Sequence, residues 1–364
     1  MSQIFSNDLI GKTESVQDEL LLLNPHQTPL LAMLGFSNPV TQTEHQWFED
    51  EMFAYEGNVT DAAAADATVL KVSSVEPFRN GHVIKLGEEL ALVTAVNKSA
   101  KELTVVRGYA NTTAAAITAN EKVEVQFVEG SEGADARQGR YKPRKRVSNI
   151  TQIFDETVEI SGTAAAVANY GIADMYEYEK QKKQLELALQ MEKAFVGGIR
   201  YENGLVRQLD GIRSFIKTNV TDLGGQELSL ESINDSIQSI YSKGGFKSGG
   251  QYEIVVPAKQ KRIVSKFDKT LVRINHGEES RGTVVNFITT DFGEFPVSIN
   301  DNLAADEVLI VDKNRIKIRP LQKRDMAHKF LGEQGDYIQG MIVGEYTLEF
   351  QQEPAHARIK GAKN

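Results

Sequence analysis

The first 45 residues show no regular period. Apolar residues are sparse at first and then cluster at Leu20–Leu23 and Pro29–Leu34, while Pro25, Pro29, Gly35 and Pro39 break any long helix. This predicts short helical turns on an extended path, with leucines (Leu30, Leu31 and Leu34 among them) that need another surface to cover them. From Glu44 the pattern becomes strand-like. Gln46 to Phe53 sets Trp47, Phe48 and Phe53 among the acids Glu49, Asp50 and Glu51. A soft linker from Asp61 to Asp66 follows. Short strand patterns then run Val69–Val72, His82–Leu86, Glu89–Val96, Glu102–Arg107 and Lys122–Val128, separated by Gly, Pro and Asn turns. Strands this short bury enough apolar surface only in a compact sandwich or barrel, so about 67–129 reads as a small inserted β domain.

Beyond a Gly-rich stretch the chain turns basic at Lys142, Arg144, Lys145 and Arg146, and a second strand pattern runs from Ile150 to Ile160. These two strand segments flank the insertion, and the simplest geometry pairs them as one long hairpin. The acids of the outgoing strand and the bases of the returning end can then meet within the hairpin or across a subunit boundary. The clearest helix spans about 172–196. Ile172, Met175, Tyr176, Leu185, Ala188, Leu189, Met191 and Phe195 mark its apolar stripe, Glu179 can pair with Lys183, and Gly197-Gly198 stops it. Such a helix is a rod of about 35–40 Å. A mixed region of about 210–317 follows, with Ser229 as N-cap of a helix carrying Ile233, Ile237, Ile240 and Tyr241. Pro257 opens a basic helix through Phe267, and strands are expected at Val284–Ile288, Phe295–Ile299, Val308–Val311 and Arg315–Arg319. The last strong element is a strand from Met341 to Phe350.

Composition narrows the function classes. The chain has 364 residues and no cysteine, which excludes disulfides, thiol catalysis and cysteine-bound zinc. A net charge of -9 argues against a general nucleic-acid or membrane-surface binder, which needs a basic field. No targeting segment opens the sequence and no apolar stretch reaches about 18 residues, so a soluble, intracellular product without membrane partners is expected. Gly11-Lys12-Thr13 has the ending of a phosphate-binding loop, but Ser6 stands where its first glycine is needed. His26, His45, His82, His276, His328 and His356 include no pair at metal-ligand spacing, and no nucleophile elbow supports a serine triad. Glu49, Asp50, Glu51 and Glu56 read as a solvated strand face. No catalytic group, metal or cofactor is expected.

The order of elements carries a resemblance, and so do several motifs. Thr28-Pro29-Leu30-Leu31-Ala32-Met33-Leu34-Gly35 resembles the arm motif of a large family of tailed-bacteriophage major capsid proteins. Arg146 to Phe154, Val158 to Thr163, Glu186 to Gly197, Leu209-Asp210-Gly211-Ile212, Gly344 to Glu349 and Ala355-His356-Ala357 are similar to further segments of that family. Glu89–Val96, Leu103–Gly108 and Thr112–Ala116 look like a β module of phage structural proteins, with Asn111 where a glycine is often found. Asn is the residue that next best tolerates a left-handed turn.

The resemblance implies an α+β fold, the tailed-phage major capsid fold shared with encapsulin shells. Its parts would be an N-terminal arm (1–45), an extended loop (46–160) carrying the β insertion, a peripheral domain with the spine helix (161–209 and 318–364) and an axial domain (210–317). It implies self-assembly into hexamers and pentamers of an icosahedral head that encloses double-stranded DNA without sequence-specific binding. Portal, scaffolding or decoration proteins would be further partners, and the virion capsid, assembled in the bacterial cytoplasm, the location. Expected intersubunit contacts are Leu30, Leu31, Leu34, Trp47, Phe48, Glu49, Asp50, Glu51, Phe53, Arg144, Lys145 and Arg146. The alternatives are an encapsulin-like shell holding cargo protein, and a carbohydrate-binding or enzymatic protein that uses the β insertion.

Overall fold

The computed structural model describes residues 28–363 apart from 131, 134, 138, 168–173, 249, 268–271, 275–284 and 334. Leu20–Leu23, Gly11-Lys12-Thr13, Ile172 and Val284 therefore lie outside the described residues. The chain divides into two compact units, one of Phe48–Lys145 and one of Met1–Trp47 with Arg146–Asn364.

The smaller unit is built on one six-stranded sheet. Its strand order is Glu56–Asn58, Lys122–Val128, His82–Leu86, Glu89–Asn97, Glu102–Val106 and Val69–Lys71. The alternation read from the sequence puts Ile84, Leu86, Ala91, Val93, Leu103 and Val105 into one core. Asn111 adopts φ 64°, the left-handed turn that its side chain tolerates, and Ala110 beside it does the same. Glu89 fixes this turn region. Its carboxylate takes the Arg107 guanidinium at 2.6 and 2.7 Å and accepts the backbone N–H of Gly108 and Ala115.

In the larger unit the spine helix Met175–Gly197 opens on Asp174, whose side chain accepts the N–H of Tyr176 and Glu177. Its buried stripe is Leu187, Met191, Phe195 and Val196, while Leu185 faces solvent. Lys183 pairs with Glu186 and Glu156, and Glu179 pairs with Lys182 rather than with Lys183.

The strand Gln152–Ser161 corrects the hairpin expectation. Only Lys145–Ile150 pairs with Glu44–Glu49, whereas Gln152–Ser161 runs antiparallel to the long strand Tyr337–Phe350. The reason is burial: Phe154, Val158 and Ile160 face the spine helix core together with Ile342, Tyr346, Leu348 and Phe350.

A seven-stranded mixed sheet forms the second core of this unit. Its order is Val220–Asp222, Ala357–Lys360, Val308–Asp312, Tyr252–Val256, Gly293–Ile299, Val285–Thr290 and Val272–Ile274. The strand Ala357–Lys360 thus leaves the C-terminal stretch expected in the peripheral domain. The helix Leu230–Ser242 is closed by a capping box between Ser229 and Ser232 and buries Ile233, Ile237 and Ile240. Tyr241 lies off this face, packed on Phe246 and Phe292.

Candidate assembly site

The candidate contact residues divide into those that the chain covers itself and those that it leaves open. Leu30 is buried against the spine-helix core, and Leu31 and Leu34 pack half-buried on the same cluster. Trp47, expected to need a neighbour, is only 7% exposed; its ring lies 6.1 Å from Phe215 and 5.8 Å from His45. Glu49 is buried too, which corrects its reading as part of a solvated face. Strand alternation then turns Phe48 outward, 69% exposed.

The charge ladder closes within the loop segment. Lys142 reaches Glu51 at 3.2 Å and Arg144 reaches Asp50 at 3.5 Å. The Arg140 guanidinium covers the Phe53 ring at 4.3 Å, a cation–π contact. Lys145 and Arg146 are exposed and form no ion pair among the described residues. Met52, Tyr55 and Tyr141 add large apolar surface, with Met52 79% and Tyr141 82% exposed. Sequence patterning did not single these three out, because nothing local distinguishes an exposed aromatic from a buried one.

Two polar nodes hold the elements in place, and sequence reasoning found neither. Asn149 is completely buried in the return strand. Its Nδ2 donates to the carbonyls of Asp210 at 3.0 Å and Leu348 at 2.8 Å, and its Oδ1 accepts the Asp210 N–H at 2.9 Å. The motifs around Asn149, Asp210-Gly211 and Leu348 therefore meet at one amide. Gly198 and Gly211 permit the close approach: a Cβ on Gly198 would stand 2.5 Å from the Ala194 carbonyl, and one on Gly211 2.6 Å from the Gly198 nitrogen.

The second node is Glu192, a carboxylate amid the apolar stripe of the spine helix. It accepts the N–H of Leu30 at 2.8 Å, the N–H of Leu31 at 2.9 Å and the Asn300 amide at 2.7 Å. Burial pushes its carboxyl up, and these three hydrogen bonds only partly oppose that. Glu192 so pins the first turn of the arm helix Pro29–Leu34 to the spine. The available signal was a lone acid within a helical apolar stripe, since an acid there needs donors.

Two further acids lie inside the C-terminal strand. Glu345 pairs with Arg207 at 2.8 Å and Arg324 at 2.9 Å and accepts the Thr151 hydroxyl. Glu349 binds His45 at 2.9 Å and also Arg319. Burial pushes the Glu349 carboxyl up, but hydrogen bonds from His45 and Arg319 and the Arg319 charge outweigh it and hold it at about 2. Arg207 belongs to a hairpin, Tyr201–Asn203 with Val206–Gln208, whose tip residue Leu205 is 95% exposed.

Among the described residues no group of His, Asp and Glu is arranged to hold a metal ion, and no helix is long and apolar enough to cross a membrane. Comparison with known proteins bears on the fold and the family. The fold is similar to the capsid of cyanophage A-1(L), with a TM-score of 0.61 at 7% identity over 99% of this chain and 98% of that one. It is also similar to the capsid of a native GTA particle, with a TM-score of 0.56 at 10% identity over 98% and 97%. Mycobacterium phage Bobi gives 0.53 at 10% identity over 99% of each chain. At these identities the likeness concerns the fold, which is that of tailed-phage capsids.

In sequence, the chain is 32% identical over 215 residues to the major capsid protein of Pseudomonas phage PaMx41, covering 53% of this chain and 48% of that one. It is 23% identical over 190 residues to that of Escherichia phage Phieco32, covering 51% of each. The chain spans about half the length of these relatives. These are capsid proteins, not enzymes. The model of one family spans almost everything, residues 3–363, so the chain belongs to the SU10 major capsid protein family.

Proposed function

We propose that this chain is a phage major capsid protein that assembles with itself into hexamers and pentamers of an icosahedral head around double-stranded DNA. The observation that carries this reading is the open apolar surface of the loop segment: Phe48, Met52, Tyr55 and Tyr141 are all largely exposed. Large exposed apolar side chains gathered in one segment mark an interaction surface. In a lattice, many modest contacts of this kind add up without covalent links. In this reading residues 1–45 are the arm, the extended loop with its β insertion runs from 46 to about 150, Gln152–Ser161 joins 162–209 and 318–350 in the peripheral domain, and 210–317 with Ala357–Lys360 form the axial domain.

Phe48, Asp50, Glu51, Phe53, Arg144, Lys145 and Arg146 serve the contact with a neighbour directly. Leu31 and Leu34 add their open sides, while Leu30, Trp47 and Glu49 support the contact from inside the chain. The net charge of -9 suits a wall that encloses DNA without gripping it. The product is then the virion capsid, assembled in the host cytoplasm, with portal, scaffolding or decoration proteins as further partners.

Expression of the chain followed by sedimentation and electron microscopy tests the reading. Shells, tubes or capsomer rings are expected, and particles from infected cells should hold DNA rather than a protein cargo. A persistent monomer defeats it.

A further inference from the structure

One face of the seven-stranded sheet carries two helices. Ile233, Ile237 and Ile240 of Leu230–Ser242 and Val264 of Ala258–Val264 share a core with Ile254, Val256 and Ile310 of the sheet. Their outer surfaces are opposite in charge. Glu231 and Asp235 are exposed one turn apart, and Glu227 is exposed just before the N-cap. On the other helix Lys259 and Arg262 are exposed three residues apart, and Lys266 is exposed just past its last turn.

Several other cations of this region have ion-pair partners in the chain. Arg213 and Arg358 pair with Glu307, Lys313 with Glu253, Arg315 with Asp312 and Lys360 with Asp222. None of the six residues on the two outer faces forms an ion pair among the described residues. Two faces of matched and opposite charge have thus been left open on one domain.

We propose that these faces dock head to tail between copies of this chain, the basic face of one copy against the acidic face of the next. The proposal rests on the capsid reading and deepens it by naming a contact. Three observations commit it to a second copy. Three cations on one face balance three acids on the other, and the helical pair of each set is about one turn apart, Glu231 and Asp235 by about 6 Å along their axis and Lys259 and Arg262 by about 4.5 Å. The two faces are different patches of one chain, and such heterologous contacts generate rings when the rotation closes. Among the described residues no exposed aromatic interleaves the basic face, since Phe267 packs against the core, so the stacking platform of a single-strand binder is missing there. Solvent-exposed charges of this kind set register and partner choice, and salt weakens them.

The test uses charge reversal and exchange in the full chain. Lys259→Glu with Arg262→Glu, and separately Glu231→Lys with Asp235→Lys, should each lower the assembled fraction at low salt at least about tenfold, since repulsion replaces attraction. The variant that combines all four substitutions should assemble to within about twofold of the unmodified chain, because complementarity is restored with its sign exchanged. Circular dichroism should stay unchanged for all three variants, as every site is exposed, and urea midpoints should fall only slightly, since Glu231 lies in the first turn and Arg262 in the last turn of their helices. Normal assembly of either reversed pair overturns the proposal, and so does failure of the folded fourfold variant to recover. Intact shells that have lost only nucleic acid would assign the basic face to DNA and overturn it as well. An unmodified chain that remains monomeric overturns the capsid reading itself, and this inference with it. Shells from reversed variants would leave the capsid reading standing.

Discussion

His356 is sealed from solvent beside Phe350, with ring centroids 4.3 Å apart. Its Nδ1 accepts the Asp312 N–H at 3.1 Å, which leaves Nε2 protonated and directed at the Gln351 carbonyl. Burial, with the Arg315 charge adding to it, lowers the pKa of this ring to about 3. The folded state therefore refuses a proton that the unfolded chain accepts near 6.5. Stability is full above that value and falls as pH drops from about 6.5 toward 3, by up to about 5 kcal/mol. Glu349 is also depressed, so its contribution is lost lower, between about 4.5 and 2. Above about pH 4.5 only the His356 window is open, and between about 4.5 and 3 the two overlap. His356→Gln should flatten the loss between pH 6.5 and 4.5 and reduce, without abolishing, the loss below it. Urea midpoints followed by the fluorescence of Trp47 at pH 7, 5 and 4 check this, and an unchanged acid limb would assign the loss to another group.

The spine helix shows what patterning delivers at the scale of an element and where it stops. Its extent and its Gly197-Gly198 end follow from the sequence, but its face does not: Leu185 points out, and Leu187 points in one turn before Met191. Charged and apolar residues alternate too closely here for the stripe alone to choose. The C-terminal strand hides more. Glu345, Thr347 and Glu349 look solvent-facing by alternation, yet all three are buried, because partners such as Arg207 lie far away in sequence. The same distance hid the pairing of Gln152–Ser161, since a hydrophobic pattern specifies a face and not a partner. One contact between the two elements depends on the absence of a side chain. Tyr176 on the helix bonds His328 at 2.8 Å directly over Gly340, where a Cβ would stand 1.8 Å from the Tyr176 oxygen. Gly340→Ala should cost about 1–3 kcal/mol by overpacking. Tyr176→Phe removes the clashing oxygen, so the double variant should be more stable than the two single losses added together. Additive losses in urea unfolding would show that the two sites do not meet.

For the whole molecule, the sequence separated a strand-rich insertion from its surroundings because local alternation and turn residues mark a β module within a short stretch. It could not name the partners of Asn149 and Glu192, since each joins segments more than a hundred residues apart. The structure keeps the cores of the two units distinct: one cluster lies entirely within 59–123, and the others lie outside Phe48–Lys145. Separate cores permit separate unfolding transitions, so one two-state curve should not describe the chain. The test is to weaken one core and watch both. In the smaller unit Glu89 and Arg107 form a buried pair whose side chains are 1% and 6% exposed. Removing the carboxylate by Glu89→Ala leaves the Arg107 charge buried and two backbone N–H groups without an acceptor, a loss of about 3–5 kcal/mol. Calorimetry should then show one transition moved down by many degrees. The transition reported by Trp47, which is the sole tryptophan and packs in the larger unit, should stay within about 0.5 kcal/mol, as expected for cores that unfold independently. A common shift of both transitions would mean that the two units unfold as one.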